Sequence, residues 1–409
     1  MIALPKGAKR RHDIELQLES LEHEYKLFIA EFRLKDAIFA DVNFPEIISL
    51  SDTKDSLLDK ETMVFSYIIG KEASYGIAIT KNNSNIFPIP KRKELHFIVS
   101  NYLKSLTNPD KKDFSLGIDL YRQLIEPGME NIQKRLIIIP DDILHFLPFE
   151  SLLINEGSWL VSKFNISYAP SLSSLKQIKE RERSNKKSVR LDLLAVGNAA
   201  NKAKYTAVEI EKIKSYFDFD KIRILVDNSA SETFVKKENL ENYKILHFAT
   251  HGFTDDLKPE RSAIQLSQQA DSLEDGLLSA REIFSLRTKA NLVVLSSCES
   301  GLGRFIRGEG IEGLNRAFFF AGTSAVLMSL WKVNDEASFF LMYRFYYYLK
   351  ASESVVSALK KAKQDVINNS QYSHPYYWAP FVLSGDGNTR IFSYFNRAEE
   401  VSPGSTVVD

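Results

Sequence analysis

A chain of 409 residues exceeds what one small core can use and points to two or three packed units. Its composition, 44% hydrophobic and 26% charged, argues against extended disorder, and 53 basic against 53 acidic residues leave no whole-chain basic footprint for nucleic acid. The single cysteine, Cys298, rules out an internal disulfide and a Cys-rich zinc site and fits a reducing compartment.

The N-terminus has no apolar core of signal-peptide length. From there to about residue 50 the chain reads as helical. Leu18, Leu21, Tyr25, Phe28 and Phe32 fall close to helical spacing, giving an amphipathic helix that docks on the rest of the chain, with partner binding as the alternative. Short β-branched and aromatic runs at 63–70 and 75–81 then read as a hairpin. Helical patterns follow at Lys93–Leu106 and Phe114–Leu124. The run RLIIIP, 135–140, is continuous, apolar and closed by Pro140-Asp141, as a buried parallel strand is. Residues 179–190, KERERSNKKSVR, read as an exposed linker between two halves, and Lys91-Arg92-Lys93 as a solvated cluster. The second half restarts the alternation, with strands at 193–198, 222–227, 245–250, 292–297 and 324–331. Its helices are predicted at 207–217, 232–240, 311–321 and 336–350. Strands alternating with helices imply a mostly parallel sheet covered on both faces, with sites at the C-terminal ends of its strands. The longest apolar stretch, Ala317–Trp331, is broken by Gly322, Thr323 and Ser324 and falls short of the roughly 20 residues of a membrane span. The chain is therefore read as soluble and cytoplasmic, with a disordered tail from Arg397 to Asp409.

Two strand ends carry reactive residues. ILHFA runs out at Thr250-His251-Gly252, and LVVLSS runs out at Cys298-Glu299-Ser300-Gly301. A thiol needs a nearby imidazole to take its proton or hold its thiolate, and attack on an amide needs N–H groups to meet the developing oxyanion. Gly252 and Cys298 are the candidate N–H donors. His251 precedes Cys298 by 47 residues, in the order and near the spacing of about 50 seen in caspases. His247 lies within the apolar run and takes a structural reading. Gly301-x-Gly303 after a strand is a weak phosphate-loop signal, lacking both GxGxxG and GK[ST].

HFATHG (247–252), DGLLSAREI (275–283), LVVLSSCESGLG (292–303) and GEGIEGLNRAFFFAGTSAVLMSLWKVND (308–335) closely resemble the CHAT-domain family, bacterial relatives of caspases and separases. RLIIIPDDILHFLPFESLL (135–153) and NISYAPSLSSL (165–175) resemble it too. The resemblance runs over roughly 55–395 and is weaker before 130. It implies an α/β, caspase-like three-layer α/β/α fold with mostly parallel sheets. The implied organisation is a helical segment at 1–54, an inactive pseudo-caspase half at 55–185, an active half at 186–396 and a tail at 397–409. His251 and Cys298 map onto the catalytic dyad. Family members often carry tetratricopeptide repeats ahead of this domain, but no 34-residue period is visible here.

The resemblance also places the end of strand Val326–Trp331 beside the cleft, where an extended substrate adds by main-chain hydrogen bonds. Ser329, Trp331 and Val333 are then substrate contacts, with core filling as the other reading of Trp331. Asp335 would favour a basic residue before the cut, or would cap the next helix. Separases carry further acids shortly after their equivalent, whereas Ala337 and Phe339 stand here, so an apolar or small residue is the alternative. Glu309, between Gly308 and Gly310, is read as fixing a loop. The implied activity is that of a regulated cysteine endopeptidase with no cofactor or metal, no nucleic acid and no membrane span. Its protein substrate and an activating partner would be encoded nearby, in a bacterial stress or defence pathway. The alternative is a catalytically silent scaffold.

Overall fold

The computed structural model describes Leu21, Glu24 and residues 47–392 apart from 131–132, 186–189, 198–203, 254, 256–257, 269–273, 297–312 and 333. Apart from Leu21 and Glu24, which are helical, the expected N-terminal helix lies outside the described residues, as does the tail at 397–409. A short helix, Leu50–Ser56, is capped by the Ser49 hydroxyl, which accepts from the Asp52 N–H at 3.0 Å. Strands β1 (Thr62–Ile69), β2 (Ser74–Ile79) and β3 (Ser84–Ile89) form an antiparallel meander. On its inner side β4 (Arg135–Ile139) runs parallel to β1, a two-stranded ribbon follows as β5 (Leu153–Asn155) and β6 (Ser158–Trp159), and β7 (Asn165–Tyr168) runs parallel to β4.

The second half contributes β8 (Leu191–Gly197), β9 (Ile222–Val226) and β10 (Tyr243–Ala249). A small three-stranded sheet comes next: β11 (Gly252–Phe253), β12 (Ala263–Gln265) and β13 (Leu277–Ser279). β14 (Leu292–Leu295), β15 (Ala325–Ser329) and β16 (Phe381–Gly385) complete the large sheet. Its order is β3-β2-β1-β4-β7-β16-β15-β14-β10-β8-β9. β8, β9, β10, β14 and β15 are mutually parallel, and β16 lies antiparallel to β15. β16 also pairs in parallel with β7, through Ser384 and Tyr168, and this seam joins the halves into one sheet of 11 strands. The parallel strands of the first half therefore point opposite to those of the second, and their C-terminal ends reach opposite edges.

β10 shows why both faces are covered. A strand buried on both sides is apolar without alternation, as KILHFA is. His247 faces Tyr346 on helix Asp335–Lys350, while the next residue, Phe248, faces Phe318 on helix Leu314–Ala321. In the first half, helices Arg92–Leu106 and Ser115–Leu124 bury Leu95, Val99, Tyr102 and Leu120 in the main core, and a second core forms around Leu57, Val64, Ile79, Ile137 and Leu175.

The expected linker at 179–190 is corrected. Residues up to 185 continue helix Leu172–Asn185, whose Leu175 and Ile178 are buried, while Glu180 and Arg183 are exposed. Arg181 reaches across to donate to the Phe319 carbonyl at 3.1 Å. Residues 186–189 lie outside the described residues. β3, β7 and β16 are additions to the predicted elements, as is helix Val355–Asn368. Among the described residues no helix is long and apolar enough to cross a membrane.

Candidate active site

β10 and β14 are parallel neighbours, with Phe248 opposite Leu295. The Ser296 N–H donates to the Phe248 carbonyl at 3.1 Å, carrying the pairing one residue past β14. In the sequence His251 stands three residues beyond Phe248, and Cys298 three beyond Leu295. His251 is half-buried. Cys298 lies outside the described residues, with Gly301, Gly303, Glu309 and Val333.

The His251 backbone is strapped by the small sheet. Its carbonyl accepts from the Gln265 N–H at 2.7 Å, and the Thr250 hydroxyl donates to the Gln265 carbonyl at 2.6 Å. His251 and Gln265 are thus a hydrogen-bonded pair of the β11–β12 ladder. The next pair, Gly252 and Ile264, takes the non-hydrogen-bonded position, which turns the Gly252 N–H away from β12.

His247 is built into the core, as its place in the strand implies. It is fully buried, with Nδ1 3.1 Å from the Tyr346 hydroxyl. Its Nε2 lies 3.0 Å from Glu209 Oε1, a close contact without hydrogen-bond alignment. Ser329 is buried opposite Phe381 on β16. Trp331 is buried too, its Nε1 donating to the Tyr376 carbonyl at 3.1 Å, which is the core-filling arrangement. Asp335 is exposed at the start of helix Asp335–Lys350, but the capping role belongs to Asn334. The Asn334 Oδ1 accepts from the N–H groups of Glu336 and Ala337 at 3.0 and 3.1 Å. The Asp335 carboxylate is left in the first turn, where the helix dipole favours it.

Behind the small sheet lies a charged cluster that sequence reading passed over. The Lys236 ammonium sits 2.6 Å from Glu232 Oε1, 2.8 Å from Glu274 Oε2 and 2.8 Å from Glu282 Oε1. The three carboxylates approach one another closely enough to hold a cation, and Lys236 supplies one from the chain itself. Burial pushes Glu232 up to about 7. Burial acts the same way on Glu282, but hydrogen bonds from Lys236 and from Ser279 outweigh it and hold Glu282 at about 2. The Ser279–Glu282 bonds form a capping box on helix Ala280–Ile283. That S-x-x-E pattern is the signal by which the sequence could have shown this corner.

A family model described as CHAT domain matches residues 115–386. Tetratricopeptide repeat protein 28 of Mus musculus is 33% identical over 129 residues, 32% of this chain and 5% of that protein. Its Homo sapiens counterpart is 35% identical over 113 residues, 28% of this chain and 4% of that protein. The chain thus spans a small fraction of the curated relatives it matches. Among solved structures, the Saccharomyces cerevisiae separase–securin complex at 2.6 Å superposes with a TM-score of 0.52 at 12% identity, covering 82% of this chain and 31% of that one. A second structure of that complex gives 0.53 at 11% identity, covering 86% and 31%.

Proposed function

Because the chain belongs to the CHAT-domain family and has a caspase-like fold, we propose that it is a cysteine endopeptidase with His251 and Cys298 as its dyad. The observation that carries this reading is the parallel register of β10 and β14, since His251 and Cys298 follow the paired residues Phe248 and Leu295 at equal distance along the chain. In this reading the His251 imidazole takes the thiol proton and the thiolate adds to the peptide carbonyl carbon. The resulting oxyanion meets the N–H groups of Gly252 and Cys298, and the direction of the Gly252 N–H supports that part. His251 then returns the proton to the leaving amine, and water hydrolyses the thioester.

The substrate is an extended protein segment laid beside the end of β15. Ser329, Trp331, Val333 and Asp335 are its proposed neighbours, Ser329 and Trp331 by main chain only, since their side chains are buried. Of these only Asp335 is exposed among the described residues, so it is the one whose carboxylate meets solvent and substrate. The reading extends to a regulated cytoplasmic enzyme of a bacterial stress or defence pathway, with a nearby-encoded substrate and an activating partner. The separase neighbour, solved together with securin, is a precedent for a protein partner on this fold.

The test is mass spectrometry of candidate proteins incubated with wild type and with Cys298→Ala, each with cell extract as a source of activator. Cuts made by wild type and absent with Cys298→Ala are expected. Cuts common to both, or none with either, overturn the enzyme and favour the scaffold.

A further inference from the structure

We propose that Lys236 and its three carboxylates form a positioning latch for His251, acting through the β12–β13 hairpin; this rests on the reading of His251 as the general base. The connection runs through one ion pair and then single hydrogen bonds. Glu232 is buried, and while its Oε1 meets Lys236, its Oε2 accepts from the Gly276 N–H at 3.1 Å. Gly276 adopts φ +81°, a conformation that suits glycine, and its carbonyl accepts from the Leu266 N–H at 2.7 Å. The residue before Leu266 is Gln265, whose own N–H donates to the His251 carbonyl. Four residues therefore link the ammonium to the residue bearing the imidazole.

The hairpin depends on such anchors. Strands of three residues, β12 and β13, are too short to hold their own placement. One end is tied to the segment before helix Glu232–Lys237, where Ser267 donates from its N–H to the Ala230 carbonyl at 2.8 Å and from its hydroxyl to the Asp227 carbonyl at 2.6 Å. Glu274 ties the same β12–β13 connection, and Glu282 just past β13 ties the far end, to Lys236 on that helix. The ammonium is what lets three carboxylates share this corner. Without it, Glu274 and Glu282 lose their hydrogen-bonded tie to the helix, and the hairpin loosens from it.

Amide hydrogen exchange on the full chain reads the latch directly. In Lys236→Met the Gln265 and Gly276 amides are expected to exchange about tenfold faster than in wild type, because the local opening cost falls. Lys236→Arg should keep wild-type protection, and the β4 amides should not change in either variant. The second readout is the pH profile of Cys298 alkylation by iodoacetamide, Cys298 being the only thiol in the chain. Lys236→Met is expected to move this profile toward that of His251→Ala. Unchanged exchange at Gln265 overturns the latch. Faster exchange with a wild-type alkylation profile, while His251→Ala differs, overturns the positioning role and leaves the dyad standing. If His251→Ala itself alkylates like wild type, the dyad fails, and the latch is then judged on Gln265 exchange alone. Should Lys236→Met not fold, Glu274→Gln, which removes one outer arm, must still speed Gln265 exchange; no change there also overturns the proposal.

Discussion

In the first half of the sheet β4 runs out at Pro140, Asp141 and Asp142, where the carboxylates are spent on neighbours; in the second half, at the opposite edge, β10 runs out at His251, where the bonds described above hold the backbone carbonyl. Asp141 Oδ2 accepts the Ile69 N–H at 2.7 Å. Asp142 is buried at φ +52° and pairs with Arg92 and, at 2.7 Å, with His96 Nε2. Burial brings the neighbouring His145 down from 6.5 to about 4, against the pull of Asp141 and Asp142. Both halves thus put ionisable residues where parallel strands end. One uses them to close its edge, and the other anchors a histidine by its main chain. The same fold position is closed by ion pairs in one half and, in the other, holds the histidine proposed as general base.

The comparison treats the halves as one body, and the largest expected effect tests that. Lys363 on helix Val355–Asn368 is fully buried and donates to Glu150 of the first half at 3.1 Å, while the Tyr168 hydroxyl donates to the other Glu150 oxygen at 2.5 Å. Burial lowers the pKa of Lys363, and Glu150 opposes that. Lys363→Met strands the Glu150 carboxylate and should cost about 3–5 kcal/mol in urea denaturation, with Glu150→Leu added to it restoring most of the loss. Two separate transitions in wild type would show instead that the halves unfold independently.

Next comes the closed edge itself. Asp142→Ala removes two partners and places Ala at positive φ, with an expected loss of about 2–4 kcal/mol. Asp142→Asn, whose side chain tolerates that backbone, should lose less. Neither should alter the pH profile of Cys298 alkylation. A change there would mean that the first-half edge reaches the proposed site, and the contrast between the edges would be gone.

The smallest effect is a difference in pH response. His145 has a lowered folded pKa, so its contribution is complete above 6.5 and is lost as pH falls through about 4, worth about 3 kcal/mol. Glu232 has a raised folded pKa, so its contribution is complete below 4.5 and is lost as pH rises through about 7. Glu282, held at about 2, contributes throughout that interval. Protection factors at Leu144 and Gly276, compared at about pH 5 and pH 7.5, should therefore move in opposite directions. Parallel changes would show that one global opening governs both.

Much of this was legible in the residues, for physical reasons. The hairpin, RLIII and the second-half strands were readable because buried strands are apolar runs bounded by turn residues. β3 hides because Asn85 and Pro88 weaken its pattern, and an edge strand tolerates them. β7 hides because Asn165 and Ser167 break its apolar run, and β16 because Ser384 and Gly385 cut its run to three apolar residues. The charged stretch at 179–185 looked like a linker because only Leu172, Leu175 and Ile178 earlier in the helix reveal its apolar face. At the site, His251 was found because it ends a strand. Gln265 and Lys236 were not, since their roles depend on the β11–β12 ladder and on a helix that the chain reaches from elsewhere.

The seam between β7 and β16 also sets a timetable. Glu150 and Lys363, which clamp it, are 213 positions apart in the chain. At about 5–20 residues per second, a ribosome needs on the order of 10–40 s to travel between them. During that interval His251 and Cys298 are made, and at its end β16, which pairs with β15, has still to follow. A nascent chain therefore carries both residues of the proposed dyad well before β16 can join the two halves of the sheet.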